Sequence, residues 1–349
     1  MLKLSDLKVP HTRYSKKRVY LYAALMTGLV AAIWWALVII YNPTHVPAGA
    51  FDYRSLDLSA AAKATYSNEP ISVVKDLGIH NNVRQQLISF DVPKDGLSEY
   101  GLMTLPKNKP VGKYPVIILC HGYSSPQAYS TLESYIGDMD FYSRHGFAVI
   151  KPDYRGNGFS LTDGTPDGAF YSMSYNTDVM SLIAAVKSTS YLDKNNINMW
   201  GHSMGGYVAL RATVLSPDVK NLILLAAPVG TPQDLFADYT PISDTNNSLA
   251  QDIRQDQLAL HGTPLSNPTY WNKTSPLSYL ANTKAHIEIN VGTADKIVPP
   301  KFSADLSQAL DKLNITHQYF VYKGGPHGLG RQRSLIWSRS LSLLVNNKF

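Results

Sequence analysis

Six short, largely apolar runs, at residues 115–120, 147–150, 197–200, 222–227, 286–291 and 318–322, constrain this chain more than any other feature. Strands this short with little polar alternation are buried on both faces, the condition of a parallel sheet. Helical stretches fall between them. In 178–187 the apolar residues Val179, Leu182, Ile183 and Val186 recur at i, i+3, i+4 and i+7, one face of a helix. Stretches 205–214 and 302–313 read the same way. Alternation sustained from 115 to 322 predicts a doubly wound, mostly parallel sheet with right-handed crossovers. Residues 83–92 and 99–105, joined through Lys94-Asp95-Gly96, read as antiparallel strands leading into it. Residues 229–285 are longer than a crossover requires and carry Phe236, Tyr239, Tyr270, Trp271 and Tyr279. They are expected to form a small helical cap insertion over the strand ends, where ligands bind in open α/β sheets, with its aromatics lining an apolar pocket.

The first 70 residues are of another kind. Residues 1–18 hold Lys3, Lys8, Arg13, Lys16, Lys17 and Arg18 against Asp6, a net +5 of the chain's formal +6. The rest of the chain is therefore nearly neutral, and nucleic-acid binding is excluded as a reading of the charge. Residues 19–41 (VYLYAALMTGLVAAIWWALVIIY) contain no charged side chain. As a helix they would span roughly 34 Å, enough for a hydrocarbon core of about 30 Å. Tyr20, Tyr22 and Tyr41 stand near the ends, and no Lys or Arg follows until Arg54. The positive-inside rule then predicts a transmembrane signal anchor, with the basic tail cytoplasmic and the remainder outside. Ala48-Gly49-Ala50 has the form of a cleavage site, so secretion after cleavage is the alternative. Residues 42–70 read as a tether, and 71–349 as one folded domain.

Trp200-Gly201-His202-Ser203-Met204-Gly205-Gly206 places G-x-S-x-G after an apolar strand and before a helix. In that context the serine sits on a strained elbow and the glycines Gly201 and Gly205 avoid collisions. Ser203 is the expected nucleophile. His202 adjoins it but points away, and reads as a histidine that supports the site from behind or packs, not as the base. A serine hydroxyl needs a general base oriented by a third group, in the chain order serine, acid, histidine. Of the later histidines, His261 lies in the expected cap, and His286 and His317 begin strands. His327 lies in the loop Gly324-Gly325-Pro326-His327-Gly328 just after a strand, and is the expected base. Asp295, in the loop after 286–291, is the expected orienting acid, while Glu288 within that strand faces solvent or a helix. The backbone N–H groups of Tyr123, after Cys120-His121-Gly122, and of Met204 form the expected oxyanion hole. His121 reads as a structural residue of that loop. Together these features specify an α/β-hydrolase fold.

The matching stretches YPVIILCHGY at 114–123, KPDYRGNGFS at 151–160 and YLDKNNINMWGHSMGG at 191–206 point to a family. So do SPLSYL at 275–280, VGTADKIVPP at 291–300 and VYKGGPHGLG at 321–330. From about residue 85 to 347 the chain resembles the catalytic domain of the prolyl oligopeptidase family. The resemblance implies exopeptidase, oligopeptidase or acyl-esterase activity, and implies that the Tyr123 hydroxyl can also donate to the oxyanion. The tether at 42–70 is too short for the β-propeller of the family's large peptidases. The elbow GHSMGG is more familiar from lipases and esterases.

These readings predict a serine hydrolase acting on a short peptide or a small ester through an acyl-enzyme. A carboxylesterase is the alternative, and an inactive hydrolase fold used as a binding module the distant one. No dinucleotide loop or metal-ligand cluster appears, so neither cofactor nor metal is expected. Cys120 is the only cysteine, set in an apolar run, and reads as a buried small hydrophobe.

Overall fold

The computed structural model describes residues 57–346 apart from 67, 109–110, 126–127, 161–172 and 239–247. The basic tail, the apolar run at 19–41 and the first half of the tether, 42–56, lie outside the described residues. Among the described residues no helix is long and apolar enough to cross a membrane.

After a short helix α1 (Leu58–Ala62), three antiparallel strands β1 (Ser72–His80), β2 (Val83–Val92) and β3 (Leu97–Pro106) open the sheet. The six strands expected from the apolar runs follow as β4 (Tyr114–Cys120), β5 (Ala148–Pro152), β6 (Leu192–His202), β7 (Val219–Leu225), β8 (His286–Gly292) and β9 (His317–Tyr322). The spatial order is β1-β2-β3-β5-β4-β6-β7-β8-β9, and every pairing from β5 to β9 is parallel. The chain thus has the α/β-hydrolase fold. β1 lacks an apolar pattern because it is the outer strand, exposed along most of its length.

The helices are α2 (Ile136–Arg144), α3 (Ser174–Ser188), α4 (Met204–Leu215), α5 (Ser248–His261), α6 (Pro268–Thr274), α7 (Pro300–Lys312) and α8 (Arg333–Asn346). The two faces of β4 show why both sides are covered. Val116, Ile118 and Cys120 join a core cluster with Val179 and Leu182 of α3, Val208 of α4 and Leu306 of α7. Ile117 and Leu119 join a second cluster with Met139 and Tyr142 of α2 and Ile336 and Leu343 of α8. Each such fully buried aliphatic side chain contributes about 1.5–3 kcal/mol. Cys120 is part of the first cluster, and burial pushes its thiol up to about 12, so it packs as a hydrophobe.

Between β7 and β8 the described residues form a π-helical turn (Asp234–Asp238), α5, α6 and a 3-10 helix (Pro276–Asn282). For Phe236 and Trp271 the expectation of a pocket lining needs correction, while Tyr239 lies outside the described residues. Phe236 and Trp271 are buried with ring centroids 4.2 Å apart, and the Trp271 indole N–H donates to Gly262 O at 2.9 Å. They fill the interior of the insertion. Its later part lies along the flank of α4, where buried Arg211 donates to Thr274 O at 3.3 Å.

Candidate active site

β6 ends at His202 and α4 begins at Met204, so Ser203 alone makes the turn from strand to helix. It does so at φ 53°, ψ −129°, a backbone region that costs a non-glycine residue about 1–3 kcal/mol. Its N–H donates to Leu225 O at 2.9 Å, and its carbonyl accepts Gly206 N–H at 2.8 Å, so the strained conformation is held from both sides. A Cβ on Gly201 would lie 2.6 Å from Gly205 O and from Gly206 Cα. A Cβ on Gly205 would overlap the carbonyl oxygens of Cys120 and His121, and one on Gly206 would lie 2.5 Å from Ala227 Cβ. The glycines bring the end of β4 against the first turn of α4. The N-terminal amides of that helix, beginning with Met204, stand directly after Ser203, where the helix dipole favours negative charge.

The loops after β8 and β9 are stitched together. Thr293 N–H donates to Tyr322 O and Ala294 N–H to Gly325 O, both at 3.0 Å, while Gly324 N–H donates to Thr293 Oγ1 at 2.9 Å. This brings Asp295 Oδ2 within 2.8 Å of His327 Nδ1. Asp295 Oδ1 accepts the amides of Ile297 at 2.8 Å and Val298 at 2.9 Å. Burial works to raise the Asp295 carboxyl, but the hydrogen bonds from His327, Val298 and Ile297 together outweigh it and hold the group below the ordinary carboxylate range. It is therefore anionic at neutral pH and fixes the imidazole with its proton on Nδ1, leaving Nε2 as the basic nitrogen. The hydrogen bonds of His327 run to Asp295 through Nδ1 and to His202 through its carbonyl; neither involves Ser203 Oγ. The other later histidines are engaged elsewhere. His261 stacks on Tyr270 at 3.7 Å, and His317 bonds Ser307 Oγ at 2.8 Å.

At the end of β4, His121 is enclosed between Tyr129 and Tyr154, each 4.4 Å away, and burial lowers it to about 4. It is a neutral spacer that shapes the loop. Gly122 N–H donates to Tyr135 Oη at 2.9 Å, and that hydroxyl lies 2.8 Å from His202 Nδ1. His202 is thus engaged by Tyr135 on one side, and its ring lies 5.0 Å from that of His327 on the other. Tyr123 is half-buried and packs against the core.

Sequence patterns did not point to Tyr135 or to Arg333. Arg333 Nη2 donates to Gly328 O at 2.9 Å, and Nη1 lies 3.4 Å from Asp138 Oδ1, which also accepts the Trp337 indole N–H at 2.7 Å. The loop carrying His327 is thereby tied to α2. Both residues lie outside any local motif, and only the fold brings them here. Glu288 is buried and accepts Ser340 Oγ of α8 at 2.8 Å, away from the site. Among the described residues no group of three or more His, Cys, Asp or Glu side chains could hold a metal ion.

The sequence profile of the prolyl oligopeptidase family matches residues 134–344, a span that includes Ser203, Asp295 and His327. A probable dipeptidyl-aminopeptidase B of Talaromyces stipitatus is 25% identical over 252 residues, 69% of this chain and 26% of that protein. Across the curated relatives, matches span between 21% and 36% of their length. Solved structures that share the fold include an esterase and a peptidase. Acetyl xylan esterase from Paenibacillus sp. R4 aligns with a TM-score of 0.62 at 17% identity, over 82% of this chain and 91% of that one. Porphyromonas gingivalis dipeptidyl peptidase 4 aligns with a TM-score of 0.55 at 21% identity, over 75% of this chain and 35% of that one.

Proposed function

Because the chain belongs to the prolyl oligopeptidase family, whose profile spans residues 134–344, we propose that it is a serine hydrolase cleaving peptide, aminoacyl or carboxylic ester bonds. The observation that carries this reading is the strained backbone of Ser203 at the junction of β6 and α4. Strain of that kind in a non-glycine residue persists where presenting the side chain matters. Ser203 Oγ attacks the acyl carbon while His327 Nε2 takes its proton. Asp295 holds the imidazole and stabilises the imidazolium. The amides of Tyr123 and Met204 receive the oxyanion, the Gly122 amide being committed to Tyr135. His327 then returns the proton to the leaving group, and water repeats the sequence to free the acid. Substrate is a short peptide or small ester.

A second reading, a carboxylesterase, is favoured by the elbow GHSMGG at 201–206. The same acyl-enzyme serves both, and they differ in how well the site protonates a departing amine. The test is direct. Short p-nitrophenyl esters and aminoacyl or peptidyl nitroanilides are compared by kcat/KM, with Ser203→Ala as control. Amide turnover within about tenfold of ester turnover, a gap of ~1.4 kcal/mol, supports a peptidase. Ester turnover without amide cleavage leaves the carboxylesterase. Full turnover in Ser203→Ala would remove both.

The same proposal includes an anchor. The uncharged run at 19–41 and the basic residues before it support a single-pass membrane protein with its hydrolase domain, 71–349, outside the cytoplasm.

A further inference from the structure

Three polar groups converge behind the elbow at a point that no step of the proposed reaction uses. Tyr135 Oη accepts Gly122 N–H at 2.9 Å and lies 2.8 Å from His202 Nδ1. His202 Nε2 lies 3.3 Å from the main-chain oxygen of His327. Counting hydrogens places the protons. A phenol carries one hydrogen, and with its oxygen accepting the Gly122 amide, the O–H donates to Nδ1. His202 then carries its proton on Nε2 and donates it to the His327 carbonyl. The opposite tautomer would leave both the phenol hydrogen and that carbonyl without partners. Burial, followed by repulsion from His327 and Arg333, lowers His202 to about 3, so the neutral ring persists across the working range.

The packing serves the same junction. A Cβ on Gly122 would lie 2.9 Å from Tyr135 Oη and 3.2 Å from His202 Nδ1, so only glycine lets them meet the backbone. Tyr135 is held at φ 61°, ψ 13°, a left-handed conformation that costs about 1–2 kcal/mol in a residue with a Cβ. The turn before it is fixed by buried Lys151, whose Nζ donates to Ser130 O, Thr131 O and Ser134 O at 3.2, 3.0 and 2.7 Å. Trp200 packs against the Tyr135 ring at 5.9 Å.

We propose that His202 and Tyr135 are positioning residues that lock the loop offering the Tyr123 amide and the loop carrying His327 into one frame across Ser203. The proposal rests on the hydrolase reading above. A chain of hydrogen bonds links Gly122 to His327 through the residue next to the nucleophile. Loss of any link lets oxyanion donor and base drift apart, and a misplacement of about 1 Å is worth on the order of 100-fold in rate.

The test uses the full-length chain carrying Tyr135→Phe, His202→Leu, His202→Gln and the double change Tyr135→Phe with His202→Leu. Turnover of a short p-nitrophenyl ester is expressed per folded chain, with the folded fraction taken from near-ultraviolet circular dichroism. Each of the first two changes is expected to lower kcat by about 10–100-fold with KM within about twofold, because alignment and not substrate binding is lost. The double variant should be no slower than the slower single one, since both break one chain. His202→Gln, which keeps a donor and an acceptor, should recover much of the loss. Unchanged kcat in Tyr135→Phe, or effects that simply multiply in the double variant, would overturn the inference. Should His202→Leu fail to fold, Tyr135→Phe, which removes a single oxygen, decides alone. Ser203→Ala is measured alongside. Its complete inactivity together with a normal Tyr135→Phe rejects only the positioning role, whereas an active Ser203→Ala rejects the hydrolase reading itself.

Discussion

A Cβ on Gly205 would overlap the carbonyl oxygens of Cys120 and His121, whereas one on Gly137 in α2 would meet nothing within 4 Å. The two glycines therefore predict opposite results for the same substitution. Gly205→Ala should push the β4 loop off the elbow, lowering kcat on the order of 100-fold and stability by about 1–3 kcal/mol. Gly137→Ala should raise stability by about 0.5 kcal/mol, because it restricts the unfolded chain without strain. Urea midpoints and ester turnover for the pair check both directions. Asp295→Asn keeps two oxygen-sized groups in place but loses the carboxylate that His327 Nδ1 faces at 2.8 Å. It should lower kcat by about 10⁴-fold while circular dichroism stays unchanged; near-normal turnover would mean that another acid orients the base. The strand-end positions of Ser203, Asp295 and His327, and with them the pairing of Asp295 with His327, were legible because each follows a strand of the apolar pattern. The meeting of Tyr135 with His202 was not, since the two lie 67 residues apart and neither lies in a pattern that names the other.

Elements were legible to the degree that they are buried. The runs 115–120 and 147–150 read as strands because both their faces are covered. β1 was not expected, because an outer strand with its side chains exposed keeps no apolar signature. β6 begins at Leu192, earlier than the apolar run implies, since Lys194 and Asn195 in its first half are exposed. The pattern also left the direction of Glu288 open between solvent and a helix. It is buried on β8, accepting Asn290 Nδ2 and Ser340 Oγ at 2.8 Å each through Oε1, while Oε2 has no partner among the described residues. Burial raises its carboxyl from 4.5 to about 7, against weaker opposition from those hydrogen bonds. The folded chain thus holds this proton to a higher pH than the unfolded chain does. Its contribution to stability declines as pH rises from 4.5 to about 7, and the full cost of a buried charge applies above that. Glu288→Gln keeps the acceptor oxygen and removes the charge. Melting temperatures of the variant and the parent should therefore differ more at about pH 8 than at about pH 5, with the variant the more stable at the higher pH. Parallel curves would mean that the carboxyl is already ionised at low pH.

On the scale of the whole chain, the residues described from 57 onward hold a core of their own. Leu58 and Ala61 of α1 already belong to it. The strongly basic and uncharged segments lie before it: a net +5 falls in residues 1–18 and no charge in 19–41, which leaves the remainder at +1. In the proposed reading, bilayer insertion gives the uncharged run a physical role, and the charge difference across it sets the orientation. The chain begun at Gly49 should therefore fold, turn over esters within about twofold of the full-length rate, and appear in the soluble fraction, because folding terms depend on the core it retains. The full-length chain should stay with membranes through a carbonate wash. Protease added to intact spheroplasts should digest its hydrolase domain. Full protection in that experiment would reverse the orientation. Complete release by carbonate would remove the anchor and leave either the cleaved form, with a new N-terminus near Ala48-Gly49-Ala50, or a peripheral one, and N-terminal sequencing of the released protein separates those two.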